Sequence, residues 1–176
     1  MFADPTENLG HLSLRPKMRV ADFGAGSGAY TLVVAKAIAP ENGQVVAIDV
    51  QKDLLERLKT EAEKQSLTNI ETVWADIEEL KGTKLADDSF DAAIVSNVLF
   101  QAESKTGLVG EVKRILKPGG EALLIDWTDS FGGLGPQPGA VITEKEAEDL
   151  FAKHGFMVKE RFVAGEHHYG FVLIKQ

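Results

Sequence analysis

The chain has 176 residues, no cysteine and a formal net charge of −8, with 44% hydrophobic and 26% charged residues. That length and composition suit one globular domain with a full core, residues 1–176. The lack of cysteine excludes disulfides, thiolate zinc sites and cysteine nucleophiles, and the acidic balance argues against a general nucleic-acid binder, which needs clustered Lys and Arg.

Asp4-Pro5-Thr6-Glu7 reads as a helix start, with Asp4 as N-cap and Pro5 at the first helical position. This helix is expected to end near Ser13, and residues 1–17 form an N-terminal segment placed to act as a lid, with Phe2 to Leu14 closing over one side of the site. A strand follows over Met18 to Phe23. It runs into Gly24-Ala25-Gly26-Ser27-Gly28 and then an apolar helix pattern that stops before Pro40. Asn42-Gly43 is a turn, Gln44 to Asp49 a second strand and Lys52 to Gln65 a helix with Leu54, Leu55, Leu58 and Ala62 on one face. Ile70 to Trp74 is the third strand, with one helical turn expected around Ile77 to Leu80. Phe90 to Ser96 is the fourth. Ser104 caps the next helix, whose Lys113 and Arg114, with Lys117 just beyond, form the densest basic group and read as a solvated face. Lys117-Pro118-Gly119-Gly120 turns into the fifth strand, Glu121 to Asp126. A glycine-rich loop, Ser130 to Gly139, leads to a capping box at Thr143-Glu144-Lys145-Glu146 and a helix closed by Gly155. Phe156 to Ala164 and His167 to Lys175 then form an antiparallel hairpin about Gly165-Glu166.

Strands alternating with helices imply an α/β fold, with a parallel sheet covered on both faces. No run reaches the roughly 18 apolar residues of a membrane span. No basic start leads into an apolar run, so neither a span nor a secretory leader is expected, and the chain reads as cytoplasmic. Nothing in the sequence speaks to oligomeric state.

A strand, a glycine turn and a helix N-terminus bring backbone close to a nucleotide-like ligand. Two readings fit. Gly24-x-Gly26-x-x-Ala29, with Asp49 ending the second strand, meets the loose dinucleotide pattern. Asp22 followed by Gly24-x-Gly26-x-Gly28 meets the pattern of an S-adenosylmethionine (SAM) site without allowance. Features elsewhere favour SAM: Trp74-Ala75-Asp76-Ile77 after the third strand, Asn97 after the fourth, the Lys117 to Gly120 turn and the closing hairpin. With these motifs in this order, the chain resembles the class I SAM-dependent methyltransferases, in particular the ubiquinone/menaquinone-biosynthesis-like (type 11) group, over about Arg15 to Lys175.

The resemblance implies a Rossmann-like doubly wound sheet of seven strands in the order 3-2-1-4-5-7-6, with strand 7 antiparallel. It implies SAM as cofactor and S-adenosylhomocysteine as product. Gly24, Ala25, Gly26 and Gly28 would approach the methionine part, Asp22 its ammonium, and Asp49 the ribose hydroxyls. Val50 would pack near the adenine, Asp76 and Ile77 would meet its edge and face, and Asn97 would lie beside the methionine or the methyl. Beside these stand plainer readings: Gly24 as a strand end, Gly28 as a helix start, Asp49 as a strand terminator and Asp76 as a helix cap. Asp91 reads as structural.

Methyl transfer needs an aligned acceptor and takes a base only where the acceptor must lose a proton, so the sequence leaves the acceptor open. Arsenite is demoted by the missing cysteines. Amide or adenine nitrogen is demoted because Asn97-Val98-Leu99-Phe100 lacks prolines, and a metal-dependent catechol because only Asp126 offers a carboxylate. Candidate catalytic residues are His167, His168, Tyr169 and Asp126, at the hairpin and the end of the fifth strand, with His167 and Tyr169 expected on one side and His168 on the other. His11 and His154 are read as incidental. The first expectation is a small-molecule O, N or C acceptor. The alternatives are a protein or RNA methyltransferase, or a non-catalytic SAM- or NAD-binding module.

Overall fold

A computed structural model describes residues 3–39, 42–131, 133 and 135–176. Phe2, Pro40, Gly132 and Leu134, on which parts of the expected lid, helix stop and glycine-rich loop fall, lie outside the described residues. In chain order the elements are α1 (Pro5–Leu9), β1 (Arg19–Phe23), α2 (Ala29–Ile38), β2 (Gln44–Asp49), α3 (Lys52–Lys64), β3 (Ile70–Trp74), β4 (Phe90–Ser96), α4 (Lys105–Ile115), β5 (Leu116–Trp127), α5 (Glu144–Lys153), β6 (Phe156–Gly165) and β7 (His168–Lys175). The sheet order is β3-β2-β1-β4-β5-β7-β6. The first five strands are mutually parallel, and β7 runs antiparallel to both its neighbours. This is the Rossmann-like arrangement that the family resemblance implies.

The inner strands are buried on both faces, which is why they read as unbroken apolar runs. Phe23, Val95, Leu124 and Phe171 face α4 and α5 through Leu108, Val112 and Phe151. Val20, Ile94, Ile125 and Val172 face α1 and α2 through Leu9, Val34 and Ile38. Among the described residues no helix is long and apolar enough to cross a membrane.

Three expectations are corrected. The first helix ends at Leu9, and Leu12 only closes a turn onto it, its N–H donating to the Leu9 carbonyl at 3.1 Å. There is no helical turn at Ile77–Leu80. The segment is pinned instead by Glu111 of α4, fully buried, whose carboxylate accepts from the Lys81 N–H at 2.8 Å, from the Thr83 hydroxyl, and from Arg114 Nε at 2.8 Å. A side chain thus takes backbone donors that a helix would have used. The hairpin turn is Glu166-His167 rather than Gly165-Glu166, because β6 carries two bulges, near Lys159 and Ala164, and Gly165 pairs with His168. The extra residues carry β6 past the expected end, and β7 begins at His168.

His11 has a structural place, on β6. Its ring stacks on Phe162 at 3.8 Å, and its Nδ1 meets Glu160 at 2.7 Å, tying the N-terminal segment to β6. Asn8, almost wholly buried, donates to the Tyr30 hydroxyl and the Ala164 carbonyl, both at 3.1 Å. Asn8→Ala strips both acceptors of this donor and is expected to lower stability by about 1–3 kcal/mol; a denaturant titration in which the midpoint does not move would contradict this.

Candidate active site

The glycine turn sits between β1 and α2. Gly24, Gly26 and Gly28 have φ of 68°, 55° and 90°, the left-handed region where only glycine is unstrained. The turn is anchored to β2. The N–H groups of Gly24 and Ala25 donate to the Ile48 carbonyl at 2.8 and 3.0 Å, and the Gly26 N–H donates to Asp49 Oδ2 at 2.9 Å. Asp49 is buried, and its other oxygen accepts from the Gln51 N–H at 2.8 Å. Each carboxylate oxygen keeps acceptor capacity beyond its one backbone bond, enough for a diol.

Gly24, Asp49, Val50, Asp76 and Ile77 line one cleft of about 250 Å³, together with Gln51, Glu78, Val98 and Gln101. Asp76 is exposed and accepts from the Glu78 N–H at 2.8 Å, a turn rather than a helix cap. Val50 is half exposed. Its carbonyl accepts from the Trp74 indole N–H at 2.8 Å, and Lys52 Nζ lies 3.7 Å above that ring. Trp74 therefore fixes the backbone just past Asp49, a role the sequence gives no sign of.

Asp22 lies beneath the turn, accepting from the Thr31 hydroxyl at 2.6 Å. Burial raises its pKa to about 7 against the lowering effect of the Thr31 bonds. Asn97 follows β4 with φ 57°, a conformation asparagine tolerates. Its N–H donates to the Ile125 carbonyl at 2.9 Å, while its buried Oδ1 has no partner. Gly26 has nothing within 4 Å of where a Cβ would stand. An open glycine and an orphaned buried oxygen fit a ligand laid over the carboxyl edge of β1, β2 and β4.

The four candidate catalytic residues do not form one cluster. Asp126 pairs with Tyr169 and Trp127 with His168 across β5 and β7, so successive side chains alternate between faces. His168 and Tyr169 do part as expected, while His167 belongs to the turn. Asp126 is fully buried; burial raises its pKa to about 6, opposed by N–H groups of Trp127 at 2.8 Å and Phe100 at 3.1 Å. Burial, and then the Asp126 charge, push the Tyr169 hydroxyl well above its ordinary range, and it has no partner. On the other face His168 is buried against Trp127, ring centroids 4.2 Å apart, with neither ring nitrogen partnered. Burial, then His167, lower its pKa, so the ring is neutral. His167 Nδ1 meets Asp129 at 2.9 Å and its ring stacks on Phe131 at 4.0 Å. Asp129 escaped the sequence reading because a hairpin turn set one residue early puts His167 in the strand. His154 Nδ1 lies 2.8 Å from the Leu150 carbonyl, away from this edge.

A family model described as a methyltransferase domain matches residues 14–162, and the chain belongs to that family. It is a class I SAM-dependent methyltransferase of the type 11 group. The fold is similar to the crystal structure of a SAM-dependent methyltransferase from Aquifex aeolicus, with a TM-score of 0.88 and 25% identity, covering 99% of this chain and 91% of that one. The sequence is 32% identical over 112 residues to an arsenite methyltransferase of Aquipseudomonas alcaligenes, covering 61% of this chain and 32% of the relative. It is 30% identical over 115 residues to a ubiquinone/menaquinone biosynthesis C-methyltransferase of Vibrio vulnificus, covering 65% and 43%. The match spans about a third of the length of the first curated relatives.

Proposed function

We propose that this chain transfers the methyl group of SAM to a small-molecule O, N or C acceptor. The observation that carries this is the glycine turn locked to Asp49 beside a cleft whose other walls are Val50, Asp76 and Ile77. SAM supplies an activated methyl on a positively charged sulfur. Asp49 holds the ribose diol, Asp76 and Ile77 the adenine edge and face, and Val50 packs against that ring. The backbone of Gly24, Ala25, Gly26 and Gly28 admits the methionine part, Asp22 faces its ammonium, and Asn97 Oδ1 gains the partner it lacks. His167, His168, Tyr169 and Asp126 stand on the acceptor side. Arsenite and quinone-pathway relatives support a small acceptor, and without cysteine this chain has no thiolates to hold arsenic. The N-terminal segment, held on α2 and β6 by Asn8 and His11, is the proposed lid.

A calorimetric titration with SAM, S-adenosylhomocysteine and NAD tests the reading. Micromolar NAD binding with no response to SAM would overturn it. Asp49→Ala is expected to weaken SAM binding by about 1–3 kcal/mol, through loss of both the diol contact and the Gly26 anchor. An unchanged dissociation constant would remove Asp49 from the site.

Asp22 adds a pH dependence. With its pKa at about 7 the free carboxyl is largely neutral at lower pH, and pairing with an ammonium requires the ionised form. SAM affinity is expected to rise about tenfold per pH unit up to about 7 and then level off. Titrations showing a flat affinity from about pH 5.5 to 8 would remove Asp22 from the ammonium.

A further inference from the structure

We propose that His167, oriented by Asp129, is the general base for a phenolic hydroxyl acceptor. This rests on the methyltransferase reading above and assigns its acceptor class.

The geometry fixes the tautomer. His167 Nδ1 lies 2.9 and 3.1 Å from the two oxygens of Asp129. An ionised carboxylate only accepts, so Nδ1 carries the hydrogen and Nε2 presents a lone pair. The ring is held by its stack on Phe131, and its backbone by the Thr128 N–H, which donates to the His167 carbonyl at 2.9 Å. Its side chain is 16% exposed. His168 next to it is sealed in with no group to set its tautomer. The pairing of β4 with β5 and of β5 with β7 puts His167 at the same edge as Asn97, two strands away and two residues further out, about 12 Å at ordinary strand spacing and rise.

The chemistry selects the acceptor. A neutral arylamine attacks through its own lone pair and sheds its proton afterwards, while an alkylammonium, about as acidic as a phenol, has no ring to lie against Phe131. An aliphatic hydroxyl is too weakly acidic for imidazole to help much. A phenol, with a pKa near 10, lies within its range. The ring of Phe131, stacked on His167 and partly exposed, suits a flat aromatic partner. In the step, the phenolic O–H gives its proton to Nε2 as the oxygen pair forms the bond to the methyl carbon. The carbon–sulfur bond breaks with its electrons left on sulfur, giving the aryl methyl ether and S-adenosylhomocysteine, and imidazolium returns the proton to water. His167 is the catalytic residue and Asp129 a positioning residue.

The test is transfer of labelled methyl from SAM to phenol and to 4-nitrophenol, the latter largely ionised at about pH 8 and so in no need of a base. Wild type, His167→Gln and Asp129→Asn are compared, with SAM binding measured by calorimetry on the same preparations. Expected is a loss of about 10²–10⁴-fold on phenol for His167→Gln and about tenfold or more for Asp129→Asn, with 4-nitrophenol changed only a few-fold and SAM affinity retained. Equal losses on both acceptors would make His167 structural and overturn the proposal. So would a wild type that binds SAM yet methylates neither phenol. A wild type that does not bind SAM would overturn the methyltransferase reading and this proposal with it.

Discussion

Replacing Glu111 with alanine is expected to lower the unfolding free energy by about 3–5 kcal/mol. The carboxylate is fully buried and receives Arg114, the Thr83 hydroxyl and backbone N–H groups of the segment between β3 and β4. Its removal leaves the Arg114 guanidinium, only 10% exposed, with one exposed charged partner, Asp87, and two neutral oxygens, the Leu85 carbonyl and the Thr83 hydroxyl. Removing one half of a buried pair costs more than the pair contributed. Denaturant titration measures the loss, and a change below about 1 kcal/mol would mean that water reaches the site.

The same group sets an acid limit. Burial alone would raise Glu111, but the bonds from Arg114, Thr83 and Lys81 outweigh it and hold the pKa at about 2 against 4.5. A lowered carboxyl stabilises the fold above its unfolded pKa, and the contribution is lost as pH falls from about 4.5 to about 2. Asp22 and Asp126 have the opposite sign. Burial raises them from 3.8 to about 7 and about 6, so they favour the fold at low pH and that advantage is lost as pH rises from about 4 to about 7. The denaturation midpoint of the free protein is expected to peak between these windows, near pH 4–5. Asp22→Asn is expected to flatten the descending side.

Gly28→Ala is expected to cost about 2–5 kcal/mol, combining the left-handed conformation with overpacking. At φ 90° an added Cβ would stand 2.2 Å from Leu58 Cδ1 and 3.2 Å from its Cγ. Leu58, on the inner face of α3, is fully buried and has little room to give. Gly26→Ala provides the contrast. Its Cβ would meet nothing, so the fold bears only conformational strain of about 1–2 kcal/mol, while the methyl projects where the donor is proposed to lie. The pair is expected to separate, Gly28→Ala losing melting temperature first and Gly26→Ala losing SAM binding first. Thermal melts and calorimetry on both variants decide it, and a Gly26→Ala protein with undiminished SAM affinity would move the donor off the turn.

The elements and the glycine turn are legible because they rest on local signals, while the strand order follows only from the family resemblance. Three glycines two apart, an acid ending β2 and another after β3 each report a turn or an edge within a few residues of themselves. The rest depends on partners distant in sequence. No local pattern tells that Glu111 will take the N–H groups of Lys81 and Thr83, so the isolated segment at Ile77 reads as a helical turn. No local pattern places bulges in β6, so the sequence alone puts the hairpin turn one residue early. That single step hides the meeting of His167 with Asp129. It also leaves unseen that Asp126 and Tyr169 share one face while Trp127 and His168 share the other.

The bulges of β6 have a consequence for the protein as a solute. β6 is an edge strand ten residues long, and a flat edge of that length offers unpaired backbone to any passing chain. Two interruptions of its register break that row, and Lys159, Glu160 and Arg161 put charges at its middle. Without them Val163, 84% exposed, would sit on a continuous sticky border. The irregularity that moved the hairpin turn thus also guards against edge-to-edge aggregation. Straightening it by deleting one bulged residue is the change most apt to make these molecules stick to one another.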